Sequence, residues 1–107
     1  MDKEIENQGI RNITEKFRCK ITILEKSFNE SLYKKYPYGS ASACGRVEEG
    51  QVFFTENRWD PPEGFCLWAW SDLQPMIHSV HAGGDFPKVS CCTDGLRPVT
   101  FLLERSE

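Results

Sequence analysis

The feature that most constrains the fold is a single apolar stripe at helical spacing between Phe65 and Ala82. Its members recur at intervals of three and four residues and are Cys66, Trp70, Leu73, Ile77 and Val80. A stripe of this kind packs on one surface, and Gly83 with Gly84 then ends the helix. Pro75 lies inside the segment and predicts a kink or two helical pieces, the second beginning at Pro75. We therefore expect one principal helix that covers a sheet.

The segments on either side of this helix have the spacing of β-strands. Before it, 17–25 alternates, with Phe17, Cys19, Ile21 and Ile23 on one face, and a short strand follows over about 51–55. After it, 88–92 and 98–104 flank Thr93-Asp94-Gly95, which predicts a hairpin whose glycine takes a positive φ. These elements predict an α+β fold in which a small, mainly antiparallel sheet packs against one principal helix.

Length and charge limit the classes of function. At 107 residues the chain suits one domain, and we assign 1–16 to a flexible leader and 17–107 to a single α+β domain. A net charge of −3 and a pI near 5.4, without any basic run, argue against nucleic-acid binding. No apolar run approaches the length of a membrane span, and the first residues lack the apolar stretch of a secretory signal. We expect a cytoplasmic protein with no membrane partner, and homo-oligomer formation stays open.

The cysteines are the residues most able to carry chemistry. Five of them in a chain expected to be cytoplasmic are more typical of thiols than of a disulfide framework. Cys19 alternates with apolar residues and is interpreted as core. Cys66 lies in the first turn of the principal helix, where unpaired N–H groups and the helix dipole stabilise a thiolate. Cys91 and Cys92 are adjacent, so in a regular strand they point to opposite faces. If the helix covers the face that carries Val89, Cys91 contacts Cys66 and Cys92 points away.

The start of the helix and the hairpin together form the candidate site. The catalytic candidates are Cys66, Cys92, Cys91 and Asp94, and the substrate-binding candidates are Arg97, Trp68 and Trp70. Arg97 has two interpretations, because it can hold a carboxylate bidentately or pair with Asp94 or Glu104. No cofactor motif is present, which suits isomerase- or lyase-type chemistry by a thiol on a small organic, anionic substrate.

Two other functions stay open. A metal-binding domain would hold zinc or iron with cysteine ligands, and those available are Cys44, Cys66, Cys91 and Cys92, with Asp94 or water completing a tetrahedron. His78 and His81 would lie roughly 18–22 Å from Cys66 along an unbroken helix, too far to share its ion. We assign both histidines to the helix surface or to electrostatic stabilisation of the helix C-terminus. A non-catalytic ligand-binding or assembly module would use the cysteines only as core residues.

Three segments together carry a resemblance: EGFCLWAWSDL, AGGDFP and CCTDGLRPVTFLLER. They resemble a family of small uncharacterised intracellular proteins marked by the motifs F-C-x-W-A-W and C-C-T-D-G-x-R-P-V. The resemblance covers roughly residues 18–105 and implies that the family's hallmark positions here are Cys66, Cys91, Cys92, Asp94 and Arg97. The family usually has Cys-Pro ahead of a Glu-Gly turn, whereas Cys44 is followed here by Gly45. Because the family has no settled activity, the resemblance implies positions and no reaction.

Overall fold

The computed structural model describes residues 17–84 and 86–106, and its centre is a four-stranded antiparallel sheet. The strands are β1 (Arg18–Lys26), β2 (Val52–Phe54), β3 (Lys88–Cys91) and β4 (Val99–Ser106), and they lie in the order β2-β1-β4-β3. The helices of the described residues are α1 (Glu30–Lys35) and α2 (Leu67–His81). The predicted α+β class, with one principal helix on a small antiparallel sheet, is confirmed. The predicted leader, 1–16, lies outside the described residues.

The apolar stripe of α2 forms the core together with one face of the sheet. The buried residues of the helix are Ala69, Trp70, Leu73, Ile77, Val80 and His81. Those of β1 and β4 alternate along each strand and are Cys19, Ile21, Ile23, Val99, Phe101 and Leu103. Cys19 is 0% exposed, and burial raises the pKa of its thiol to about 12. Its interpretation as a core residue is therefore confirmed.

The ends of α2 follow from local sequence. The helix begins after Cys66, whose carbonyl accepts the N–H of Trp70 at 2.9 Å. It ends at His81, and Gly83 beyond it has a φ of +88° and donates to the Val80 carbonyl at 2.9 Å, as a glycine that follows a helix C-cap does. The helix is continuous over Leu67–His81, so Pro75 does not divide it into two pieces. Pro75 removes one N–H from the helix, and the buried side chains beyond it keep the last turns on the sheet. In the described residues, neither helix combines the length and apolarity needed to cross a membrane.

His81 corrects the prediction that both histidines lie on the helix surface. Its side chain is 0% exposed, and Nε2 lies 2.6 Å from Oγ1 of Thr55. The same Thr55 oxygen accepts the backbone N–H of Cys19 at 3.0 Å. A polar partner inside the core therefore lets a histidine next to the stripe be buried. His78 is half-buried and lies 3.0 Å from the amide oxygen of Gln74.

The connection between β3 and β4 differs from the predicted Asp-Gly turn. The two strands pair as a hairpin, but they are joined by a loop over 92–98, and Gly95 has no positive φ. The Asp94 carboxylate organises this loop, because Oδ1 accepts the backbone N–H groups of Leu96 and Arg97, each at 3.1 Å. These two hydrogen bonds to the Asp94 side chain hold the turn, so that it does not need the positive φ expected of Gly95.

One case considered from the sequence is that α2 covers the face of β3 that carries Val89. In the structure α2 covers the other face. Val89 is 60% exposed, whereas Cys92 is half-buried and packs against the core. The condition for a contact between Cys91 and Cys66, that α2 covers the face of Val89, is therefore not met, and Cys91 is exposed. The two cysteines do point to different faces, as the pleat of a strand requires.

Candidate functional site

A cavity of about 340 Å³ lies where the start of α2 meets the loop between β3 and β4. Of the predicted site residues, its lining includes Cys44, Cys66, Trp68, Cys92, Asp94 and Arg97. Apolar side chains from the core complete it, among them Val47, Val99 and Phe101. A volume of this size falls in the range of small-molecule sites, which combine an apolar lining with a few polar groups.

Two predicted residues lie outside this lining. Cys91 is exposed on the other face of the sheet. Trp70 is buried in the core, where its ring meets the edge of Phe65 with ring centroids 6.3 Å apart. The structure therefore brings together the helix start and the arginine loop but separates the adjacent cysteines.

Three thiols in the cavity come from three separate segments of the chain. Cys66 is the N-cap residue of α2, with extended backbone geometry. Cys92 follows β3, and its N–H donates to the Val99 carbonyl at 3.1 Å. Cys44 belongs to the loop between α1 and β2, and all three are half-buried and not in disulfides. The N-cap of α2, the loop after β3 and the loop between α1 and β2 thus each contribute one sulfur to the cavity.

Arg97 is the most firmly held charged group of the cavity. The residue is 8% exposed, and its Nε donates to Oδ2 of Asp94 at 3.2 Å. Its Nη1 donates to the carbonyls of Tyr38 and Ser40 at 3.0 and 2.9 Å, and the guanidinium lies 5.1 Å from the centre of the Tyr38 ring. Among the described residues, Nη2 makes no hydrogen bond. The guanidinium is therefore fixed in place while one of its nitrogens keeps two donors for another group.

The backbone passes so close to Arg97 that only glycine fits at position 39. Gly39 has a φ of +71°, and a Cβ at this position would lie 2.9 Å from Nη2 of Arg97. This close approach allows the neighbouring carbonyls of Tyr38 and Ser40 to reach the guanidinium. Arg97 thereby joins the loop that carries Cys44 to the loop that follows β3.

Asp94 is held as a carboxylate. Its partial burial tends to raise its pKa, but the N–H groups of Arg97 and Leu96 and the guanidinium of Arg97 together lower the pKa below the ordinary value of 3.8. Both oxygens are occupied by these donors. This arrangement suits a residue that positions Arg97 better than one that exchanges protons near neutral pH.

Thr93 and Asp72 support the wall of the cavity at Trp68. Trp68 Nε1 donates to Oγ1 of Thr93 at 2.7 Å, and the N–H of Thr93 donates to Oδ2 of Asp72 at 2.8 Å. These bonds tie the first turns of α2 to the loop after β3 and fix the indole that lines the cavity. The i, i+4 spacing of Trp68 and Asp72 puts them on one helix face and predicts that both could wall a pocket, whereas no signal in the sequence selected Thr93.

The four cysteines considered as metal ligands are divided between two places. Cys44, Cys66 and Cys92 line the cavity, whereas Cys91 lies on the opposite face of the sheet. Within 17–84 and 86–106, no group of three or more His, Cys, Asp or Glu residues could hold a metal ion. The three thiols of the cavity line its wall without forming a cluster of metal ligands in the described part of the chain.

The cavity brings together groups of complementary chemistry. Comparisons of the chain with protein-family models, with curated proteins and with solved structures find no significant match. The cavity combines half-buried thiols, one fixed guanidinium and an apolar floor. These groups can bind the anionic end of a small molecule and present sulfur to its body.

Proposed function

We propose that the protein is a small cysteine-dependent enzyme, of isomerase or lyase type, that acts on a small anionic organic molecule in this cavity. The observation that carries the proposal is that Cys66 and Cys92 line one cavity with Arg97. The family resemblance implies that the same three residues are hallmark positions of the motifs, and it implies no reaction. We assign the activity to the cytoplasm, where thiols remain reduced.

Arg97 is the proposed binding group for the anion. Its Nη2 offers two N–H donors, and its other nitrogens are held by Asp94 and by the loop carbonyls. A carboxylate or phosphate oxygen at Nη2 would gain a charge-assisted hydrogen bond without the cost of ordering a long side chain. The apolar body of the ligand would then rest against Val99 and Phe101.

The two thiols suit proton transfer without a cofactor. In an isomerisation, the thiolate of one cysteine removes a proton from the carbon beside the anionic group, and the thiol of the other returns a proton to the same molecule. Protons and electrons then balance within Cys66 and Cys92 and need no oxidant. In a lyase reaction, the bond to a leaving group on the adjacent carbon breaks instead, and the leaving group departs with its electron pair. Asp94 takes part only as a positioning residue for Arg97.

Alkylation with a neutral and an anionic reagent tests this proposal directly. Native protein is treated with iodoacetamide or iodoacetate at mildly acidic pH, and the rate at each cysteine is read by peptide mass spectrometry. We expect the iodoacetate to iodoacetamide rate ratio to be higher at Cys66 and Cys92 than at Cys91. Cys91 is an internal control because it is exposed but outside the cavity. Cys19 should remain unmodified until the protein unfolds, because it is 0% exposed.

A pair of matched variants connects the anion preference to Arg97. Arg97→Gln should lower the ratio at Cys66 and Cys92 to the value at Cys91, whereas Arg105→Gln, which removes an exposed charge away from the cavity, should leave it unchanged. Circular dichroism checks that both variants fold. Equal ratios at all labelled cysteines of the native protein would contradict the anion site. Slow labelling of Cys66 and Cys92 by both reagents would contradict accessible thiols and leave them as core residues.

A further inference from the structure

A second arginine lies at the same cavity as Arg97. Arg46 belongs to the loop between α1 and β2 that also carries Cys44, and both of these loop residues line the cavity. Arg46 is exposed, and no described residue forms an ion pair or a hydrogen bond with its guanidinium. All of its N–H donors therefore remain for a ligand or for water.

The two arginines differ in how they are held and in how far they are buried. Arg97 is 8% exposed and is fixed by Asp94 and by the carbonyls of another loop. Arg46 is exposed and has no such partner within 17–84 and 86–106. Arg97 thus belongs to the wall of the cavity and Arg46 to its mouth. A ligand that binds both arginines must extend from the wall toward solvent.

Arg97 by itself holds one anionic group. Its Nε and Nη1 already donate to Asp94 and to the loop carbonyls, so Nη2 is the nitrogen that remains for a ligand. A single terminal nitrogen with two N–H groups suits one carboxylate. A second carboxylate on the same molecule needs another cation, and Arg46 supplies it in the same cavity.

The charges around the cavity favour this second anionic group. The charged side chains among the described lining residues are Arg46, Asp94 and Arg97. Asp94 directs both of its oxygens to its own loop and to Arg97, so it does not pair with Arg46. Arg46 therefore places an uncompensated positive charge on the cavity of a chain whose net charge is −3. A local positive field of this kind attracts anions to the cavity.

We propose that the substrate is a small dicarboxylate, which binds Arg97 with one carboxylate and Arg46 with the other. The proposal rests on the function proposed above and narrows its substrate from a small anion to a molecule with two separate anionic groups. A cavity of about 340 Å³ lies at the lower end of small-molecule sites and suits a chain of a few carbons. These carbons then lie in the space that Cys66 and Cys92 line. Holding both ends of the chain limits the positions that the reacting carbon can take.

Protection of the cavity thiols measures the preference for two carboxylates. Native protein is alkylated with neutral iodoacetamide at pH 7 and constant ionic strength, with succinate, butyrate or inorganic phosphate added, and peptide mass spectrometry gives the rates at Cys66 and Cys92. Succinate and butyrate have the same four-carbon chain, differ by one carboxylate and do not react with thiols. We expect half-protection at an about fivefold lower concentration of succinate than of butyrate, which is the order of gain from one exposed ion pair. Cys91, outside the cavity, should stay unprotected.

Variants of Arg46 identify the second binding group. Arg46→Gln should raise the half-protecting concentration of succinate to that of butyrate and leave the value for butyrate unchanged. Arg46→Lys keeps the charge and should keep succinate ahead by at least about twofold. Arg105→Gln is the matched control, because it removes an exposed arginine away from the cavity and should change neither value. Circular dichroism checks that the variants fold, as the exposure of both positions predicts.

The results separate this inference from the function on which it rests. Equal protection by succinate and butyrate, lost for both in Arg97→Gln, would overturn the dicarboxylate and retain the anion site. A preference for succinate that survives Arg46→Gln would show that Arg46 does not bind the second group. Protection by phosphate at lower concentrations than by succinate would contradict two separate groups, because phosphate carries its charge on one. Absence of protection by all three anions would overturn the anion-binding function itself and the dicarboxylate with it.

Discussion

Replacing Asp94 with asparagine measures how much one carboxylate contributes to the loop that holds Arg97. The side chain accepts two backbone N–H groups at 3.1 Å and the Nε of Arg97 at 3.2 Å, and it is 16% exposed. Asparagine keeps an oxygen for the backbone donors but loses the charge and turns an amide N–H₂ toward Nε. A hydrogen bond between charged groups contributes about 1.5–3 kcal/mol, and solvent screening is small at this exposure. We expect Asp94→Asn to lower the free energy of unfolding by ~2 kcal/mol.

Alanine should cost more than asparagine at the same position. Asp94→Ala also removes the acceptor of the Leu96 and Arg97 backbone N–H groups. Each lost backbone bond adds about 1 kcal/mol, which brings the expected loss to ~4 kcal/mol. The difference in unfolding free energy between the asparagine and the alanine variant therefore measures the role of Asp94 as an acceptor for the turn, separately from its charge.

The pH dependence gives an independent check with a definite sign. The pKa of Asp94 lies below its ordinary value of 3.8 in the folded protein, so the folded state favours the ionised form. Its stabilising contribution is complete above the unfolded-state pKa and is lost as pH falls through the folded-state pKa. The gap in unfolding free energy between native protein and Asp94→Asn should therefore be constant near neutral pH and narrow below about pH 4.

Urea unfolding of the native protein and the variants at several pH values measures this gap. Glu63→Gln is the matched control, because it removes one negative charge at an exposed position and should change stability by less than about 0.5 kcal/mol. If Asp94→Asn were as stable as the native protein, the carboxylate would not hold the loop. A gap that stayed constant or widened on acidification would show that the charge of Asp94 is not the source of the stability.

Two further predictions concern close packing. Gly39→Ala should destabilise the protein by at least about 1 kcal/mol more than Gly50→Ala, because both have positive φ but only the first Cβ would meet Arg97, at 2.9 Å; equal losses in urea unfolding would mean that the loop moves away without cost. Leu103→Ala should cost about 3 kcal/mol because the side chain is 0% exposed, whereas Leu24→Ala, at 41% exposure, should cost less than about 1 kcal/mol; similar thermal unfolding midpoints for the two would contradict the assigned core.

The fold was predictable because its patterns are long and local. Alternation in β1 and β4 and the stripe of α2 each span several turns or residues, and both are confirmed by burial of residues such as Ile21, Leu73 and Leu103. The side of β3 that α2 covers was not predictable in the same way. β3 has only four residues, Lys88–Cys91, and Val89 is its single large apolar residue, so the hydrophobic pattern points to the wrong face. Because Val89 points away from α2, Cys91 two residues later also points away from it, and Cys92 points toward it.

The place of the cavity was predictable from the sequence, and the hydrogen-bond partners of the residues that line it were less so. Sequence spacing brought the helix start and the arginine loop together, and the cavity contains Cys66, Cys92 and Arg97. The interactions of Arg97 with the carbonyls of Tyr38 and Ser40 could not be predicted. Arg97 and these carbonyls are nearly sixty residues apart along the chain. Every residue has a backbone carbonyl, so the residue type does not indicate which carbonyl will accept a hydrogen bond.

The adjacent cysteines have different surroundings because a strand alternates. Cys92 leaves β3 toward α2 and lines the cavity, and Cys91, one residue earlier, points to the face of the sheet that α2 does not cover. The two thiols therefore cannot serve one substrate unless the chain breaks its pleat, and the ladder is regular through Cys91. The two adjacent cysteines thus lie on two different surfaces, and Cys92 shares the cavity with Arg97 and Cys66. Any reaction that required both sulfurs on one molecule would need a conformation different from this one.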